Sequence, residues 1–178
     1  LPPSGCTPAV EGSRAKARGD YGAAVQYYRE DLSRNPDSLQ DRRRLGRALY
    51  ELGELDAAEA ALREVLERKP GDWEASYLLG LTLIAKGEAD DGFDALRATR
   101  VTTDAYWLKR ETACVADSVQ ARSLPAGETL ALLERYGVML AKRQELRVYR
   151  NHSGSTFFLA GDCPPMLNEA GCYLGNEW

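Results

Sequence analysis

Glycines recur in this chain at a fixed interval of 34 residues in two separate series, Gly12, Gly46 and Gly80, then Gly19, Gly53 and Gly87. Other positions keep the same phase: Asp20, Glu54 and Glu88; Pro36 and Pro70; and the small residues Ala24, Ala58 and Gly92, each followed four positions on by Tyr28, Leu62 or Leu96. A register held by so many independent positions means that one supersecondary unit is used three times between residues 5 and 104. A unit of this size cannot bury its apolar face alone, so the copies must stack and share a continuous core.

The second copy shows what the unit is. Leu45, Leu49 and Tyr50 form an apolar stripe at helical spacing, Gly53-Glu54-Leu55 interrupts it, Ala58, Ala61, Leu62, Val65 and Leu66 form a second stripe, and Pro70 closes the unit. Each copy therefore reads as two antiparallel helices, and the expected class is an all-α solenoid of helix pairs. Gly12, Ala24, Gly46, Ala58, Gly80 and Gly92 are the packing positions, because a missing or minimal side chain lets two helix backbones approach without a clash.

Leu45-Gly46, Gly53, Ala58, Leu62 and Pro70 together resemble the tetratricopeptide repeat family, whose helix-turn-helix unit carries these residue types at these offsets. The resemblance covers about residues 5–104. It departs from the family pattern at Pro8 and Arg42, which stand at Trp positions, at Glu11 in place of Leu, and at Asp104 in place of the closing Pro. The first helix is accordingly expected to begin near Pro8 or Ala9. The resemblance implies a right-handed superhelix whose first helices line a concave groove for a protein or peptide partner. Carried over by position, the groove residues are Ser13 and Lys16, then Arg43, Arg47 and Tyr50, then Tyr77, Leu81 and Ile84.

Arg43 and Arg47, four apart, leave one helical face and are spaced to grip a carboxylate or phosphate together; the alternative is a solvated face paired with Asp41 and Glu51. Tyr50 and Tyr77 offer flat apolar faces with polar tips. The groove grows less polar from Arg43 to Ile84, which suits an amphipathic helix or an extended peptide. The asparagines with which some family members clamp chaperone tails are absent from the matching positions.

Beyond Asp104 the repeat stops while helical patterning continues. Leu108, Thr112, Val115 and Val119 mark a helix over about 105–122, and Leu130, Leu133, Tyr136, Gly137 and Leu140 mark another over about 128–143. The expected organisation is a proline-rich segment (1–8), three helix pairs (9–104), a helical cap or divergent fourth unit (105–144), and a tail (145–178). In the tail, Leu146 to Arg150 and Ser155 to Leu159 read as strands of a small β-hairpin around Asn151-His152-Ser153-Gly154, which also contains an N-x-Ser sequon.

Cys163 and Cys172 enclose a turn-rich stretch and read as a small disulfide loop, which would place the chain outside the cytoplasm: secreted, periplasmic or at the cell surface. Four reduced, buried cysteines would instead fit the cytoplasm. Ser4-Gly5-Cys6 is similar to the end of a lipoprotein signal, but Pro3 stands where such signals carry Leu and residues 1–5 are still present, so no lipid anchor is expected at Cys6.

Composition narrows the function. With 23 basic and 27 acidic residues the net charge is −4, against bulk attraction to nucleic acid. The longest uncharged apolar run, Ala75 to Ala85, is too short to span a bilayer, which takes about 20 residues. The single histidine, His152, sits in the proposed turn, and no zinc spacing, phosphate loop or nucleophile motif is present, so no enzymatic role, metal or cofactor is expected. Two readings result. One is a binding module that holds a peptide or protein segment within an extracytoplasmic assembly. The other is a structural subunit of a larger assembly that meets neighbours, including copies of itself, through the solenoid ends and the tail.

Overall fold

The computed structural model describes residues 7–99 and 106–153. Eight helices form among them: α1 (Pro8–Ala17), α2 (Tyr21–Arg34), α3 (Leu39–Leu52), α4 (Leu55–Arg68), α5 (Trp73–Lys86), α6 (Ala89–Arg97), α7 (Tyr106–Gln120) and α8 (Ala126–Ser153). The described residues contain no strand. Consecutive helices pack on one another from α1 to α8, the arrangement of a solenoid of helix pairs.

Each glycine series has its own physical cause. Gly19, Gly53 and Gly87 sit in the left-handed region, at φ 77°, 82° and 92°, where a Cβ is costly. Each turns the chain with the same bonds. The N–H groups of Gly53 and Glu54 return to the carbonyls of Tyr50 and Leu49, as those of Gly87 and Glu88 return to Ile84 and Leu83. That satisfies the open carbonyls at the helix end and sends the chain back antiparallel.

The other series lies where helices meet. A Cβ on Gly12 would stand 2.7 Å from the Tyr28 ring, one on Gly46 2.9 Å from Leu62, and one on Gly80 2.7 Å from Leu96. The residues in phase along the sequence are thus the residues in contact within each pair. Helix starts are fixed by side-chain caps, with Asp20, Ser38 and Asp72 accepting from the N–H groups of Ala23, Asp41 and Ala75. The first helix begins at Pro8, where a missing N–H costs nothing.

Apolar side chains gather in two clusters. One joins Ala15, Ala24, Val25 and Tyr28 to Ala48, Leu49 and Ala58; the larger runs from Leu62 and Val65 through α5 to Leu133 and Leu140. Every residue of α5 from Ala75 to Ile84 is buried. This explains the uncharged run: it is a core helix enclosed on several sides by α3, α4, α6 and α8. No described helix is long and apolar enough to cross a membrane.

Two expectations about the C-terminal part change. Helix α8 packs on α5 as well as on α7, so it returns across the third helix pair rather than simply extending the stack. The first strand and turn of the expected hairpin, Leu146 to Ser153, are the end of α8. The reason is propagation. Between Gly137 and Gly154 the chain has neither Gly nor Pro, and Lys142-Arg143-Gln144-Glu145-Leu146-Arg147 are strong helix formers that extend an already packed helix at little cost. The second strand, the Cys163 to Cys172 loop and Cys6 lie outside the described residues.

Candidate binding cleft

Helices α3, α5 and α8 border an open cleft of about 620 Å³. From α3 come Arg47, Tyr50 and Glu51; from α5 come Trp73, Glu74, Tyr77, Leu78 and Leu81; from α8 come Glu134, Arg135, Gly137, Val138, Ala141 and Lys142. Trp73 and Tyr77, one helical turn apart, meet edge to face with ring centroids at 6.4 Å. Val138, on α8, also lines the cleft and is 62% exposed, a large apolar side chain left largely to solvent.

Two tyrosines position α8. The Tyr77 hydroxyl donates to the Leu133 carbonyl oxygen at 2.7 Å, and the Tyr50 hydroxyl donates to Glu134 Oε1 at 2.6 Å. Gly137 makes the approach possible, since a Cβ there would stand 2.8 Å from the Tyr77 ring. Burial, then the Glu134 carboxylate, push the Tyr50 hydroxyl far above its usual range, so it stays a donor at physiological pH.

The structure sorts the groove residues read from the sequence. Tyr50 is half-buried at the cleft wall, while Tyr77 and Leu81 form its floor at 3% and 4% exposure, covered by α8 rather than open to solvent. Ile84 points away from the cleft into the contact with α6, where a Cβ on Gly92 would meet its side chain at 2.5 Å. Ser13 is also turned inward, bonding to the Ala9 carbonyl and to the Tyr28 hydroxyl.

The paired arginine grip does not form. Arg43 is consumed between repeats, holding both oxygens of the buried Asp72 at 2.9 Å and Glu74 at 2.7 Å. Arg47 stays at the cleft, 3.8 Å from Glu51. Lys16, on α1, is half-buried and feels Arg47, Glu51 and Glu74; burial first, and then Arg47, lower its pKa.

Sequence reading missed the α8 wall and Trp73. The available signal was Gly137, a glycine inside an otherwise well-formed helix and on its apolar face, which marks a close approach by another element. Among the described residues no group of three or more His, Cys, Asp or Glu side chains is placed to hold a metal ion. The cleft offers flat apolar surface, a few fixed polar groups and a charged rim, which is the chemistry of recognition.

Helix pairs stacked so that their first helices share a cleft define a helical-repeat scaffold of the kind that mediates protein–protein interaction. A family model for the tetratricopeptide repeat matches residues 10–72 and 43–106, together more than half of the chain, and the chain belongs to that family. No curated protein matches it.

Proposed function

We propose that this chain is a non-enzymatic binding module that holds an extended or helical peptide segment of a partner protein in the cleft between α3, α5 and α8. The observation that carries the reading is that the exposed Val138 and the half-buried Trp73 line one cleft whose floor, Tyr77, Leu78 and Leu81, is preformed by packing. An apolar anchor entering there would be desolvated on both sides without rearranging the core, and preformed pockets of this kind supply most of the energy in peptide recognition.

The test is selection of a random peptide library on the full chain, followed by calorimetry of the enriched peptides on wild type and Trp73→Ala. Trp73 is half-buried at the edge of the core, so the variant is expected to fold and to bind about tenfold or more weakly, as for loss of an aromatic anchor. Equal affinity for both proteins would remove the cleft from the account.

The assembly is placed outside the cytoplasm in this reading. Its support is Cys114 on α7, which is disulfide-bonded, and such bonds persist in oxidising compartments. A count of four free thiols in the unreduced, denatured protein would return the chain to a reducing compartment.

A further inference from the structure

We infer that the segment following α8 folds back onto α7 and is fastened there by a disulfide from Cys114 to one of the two tail cysteines, Cys163 or Cys172.

The chain has four cysteines, at positions 6, 114, 163 and 172, and each sulfur can bond once. Cys114 lies on α7 and is disulfide-bonded, which leaves Cys6, Cys163 and Cys172 as its possible partners. Cys6 is too far away. It stands two positions before Pro8, where α1 begins, and α1 packs on α2 whereas α7 packs on α6 and α8. The helices from α2 to α6 stand between them, and each helix-to-helix step in such a stack adds about 8–10 Å. The Cα atoms of a disulfide lie within about 7 Å of each other, and two extended residues add only about 7 Å of reach.

The two tail cysteines do reach. Cys114 is half-buried, and Glu111, about one turn before it on α7, pairs with Arg143 of α8 at 3.4 Å. From Arg143 to its end at Ser153, α8 runs on for about 15 Å. Cys163 follows Ser153 by ten residues and Cys172 by nineteen. At about 3.3 Å per extended residue even the shorter segment spans roughly 33 Å, enough to return along α8 to the level of Cys114. A bond from Cys114 to either cysteine excludes the Cys163 to Cys172 loop, because that loop needs both thiols.

Forming the bond takes two protons and two electrons from two thiols. They pass by thiol–disulfide exchange to a disulfide oxidant of the compartment, which is reduced to two thiols. The pairing is independent of what the cleft binds. It bears instead on assembly: a helical solenoid leaves its terminal faces to be covered, and a tail fastened to α7 brings that cover from within the chain.

Trypsin separates the candidates. Cleavage after Arg14, Arg110, Arg122 and Arg150 puts Cys6 in residues 1–14, Cys114 in 111–122, and Cys163 with Cys172 in 151–178, which contains no Lys or Arg. The full folded chain is equilibrated in a glutathione redox couple, its free thiols are alkylated, and the digest is weighed by mass spectrometry with and without reductant. The expected species joins 111–122 to 151–178 and splits into those two peptides on reduction. Cyanogen bromide cleavage at Met166, between Cys163 and Cys172, then shows which of the two is bonded, and either satisfies the inference. A bridge internal to 151–178, a species joining 1–14 to 111–122, or two copies of 111–122 joined together overturns it while leaving the oxidising compartment in place. Four alkylated thiols overturn both.

Discussion

Gly92 and Gly80 face each other across α5 and α6 so closely that a Cβ on Gly92 would stand 2.7 Å from the Gly80 carbonyl oxygen and 3.0 Å from the Ile84 nitrogen. Both of those atoms are backbone and cannot step aside. An alanine inside a helix normally gains about 1 kcal/mol over glycine. At Gly92 the clash should outweigh that gain, and Gly92→Ala is expected to cost about 1–3 kcal/mol in urea unfolding. Gly22 is the control. A Cβ there meets only Asp20 at 3.9 Å, so Gly22→Ala should stabilise by roughly 0.5–1 kcal/mol. Equal effects at the two sites would mean that the helix pair is not packed this tightly.

Arg43 should act as a clamp between repeats. Burial works to raise the Asp72 carboxyl, but the hydrogen bonds and charge of Arg43, with the Ala75 N–H and Lys69, outweigh it and hold the group below the usual carboxylate range. A depressed folded pKa gives stability that is present above the unfolded value and is lost as pH falls through the folded one. Arg43→Ala should therefore cost about 2 kcal/mol at neutral pH, by leaving a buried carboxylate short of partners. The deficit should shrink on acidification, which urea melts at neutral and acid pH would show.

Asp31 should behave in the opposite sense. It is buried on α2 against the equally buried Asp41 of α3; burial, then the hydrogen bond and charge of Asp41, push its carboxyl up, while the Ala9 N–H and Arg34 pull the other way. A carboxyl with a raised folded pKa binds its proton more tightly when folded, so stability is gained as pH falls through that pKa and is complete below the unfolded value. Asp31→Asn can still accept from Ala9 and can donate to Asp41. The variant is expected to melt higher than wild type at neutral pH, with the difference closing in acid. A lower melting temperature at neutral pH would contradict this account of the α1–α2–α3 junction.

Tyr77→Phe removes the hydroxyl that ties α5 to the Leu133 carbonyl. That carbonyl lies within α8, so the loss is one hydrogen bond, about 1 kcal/mol. The larger expected effect is faster amide exchange in α8 than in α2 or α4, because α8 is the element that the bond positions.

The helix pairs were legible in the sequence because local chemistry and tertiary contact share one period. Gly53 and Gly87 are needed by the turns, Gly46 and Gly80 by the facing Leu62 and Leu96, and both demands return with each unit. The cleft was legible only in half. Tyr50 and Arg47 follow from the repeat, but α8 lies outside it, and nothing periodic says that Leu133, Glu134 and Gly137 return to Tyr77 and Tyr50 over a long sequence separation. Arg43 was misassigned for a related reason. Its spacing to Arg47 is visible in one helix, whereas its partners Asp72 and Glu74 belong to the next unit. The hairpin expectation failed where short β-rich runs were weighed without the cooperativity of the helix that precedes them.

Val138 provides the most direct test that this cleft is where the protein binds. At 62% exposure it contributes little to the core, so Val138→Asp should leave the thermal melt nearly unchanged, within about 0.5 kcal/mol as for other exposed sites. The same substitution puts a charge into the lining of the cleft and should weaken a library-selected peptide by tenfold or more in calorimetry, as for truncation of a central anchor. Lost binding with an unchanged melt is the predicted result. Undiminished affinity in a folded Val138→Asp protein would contradict the account.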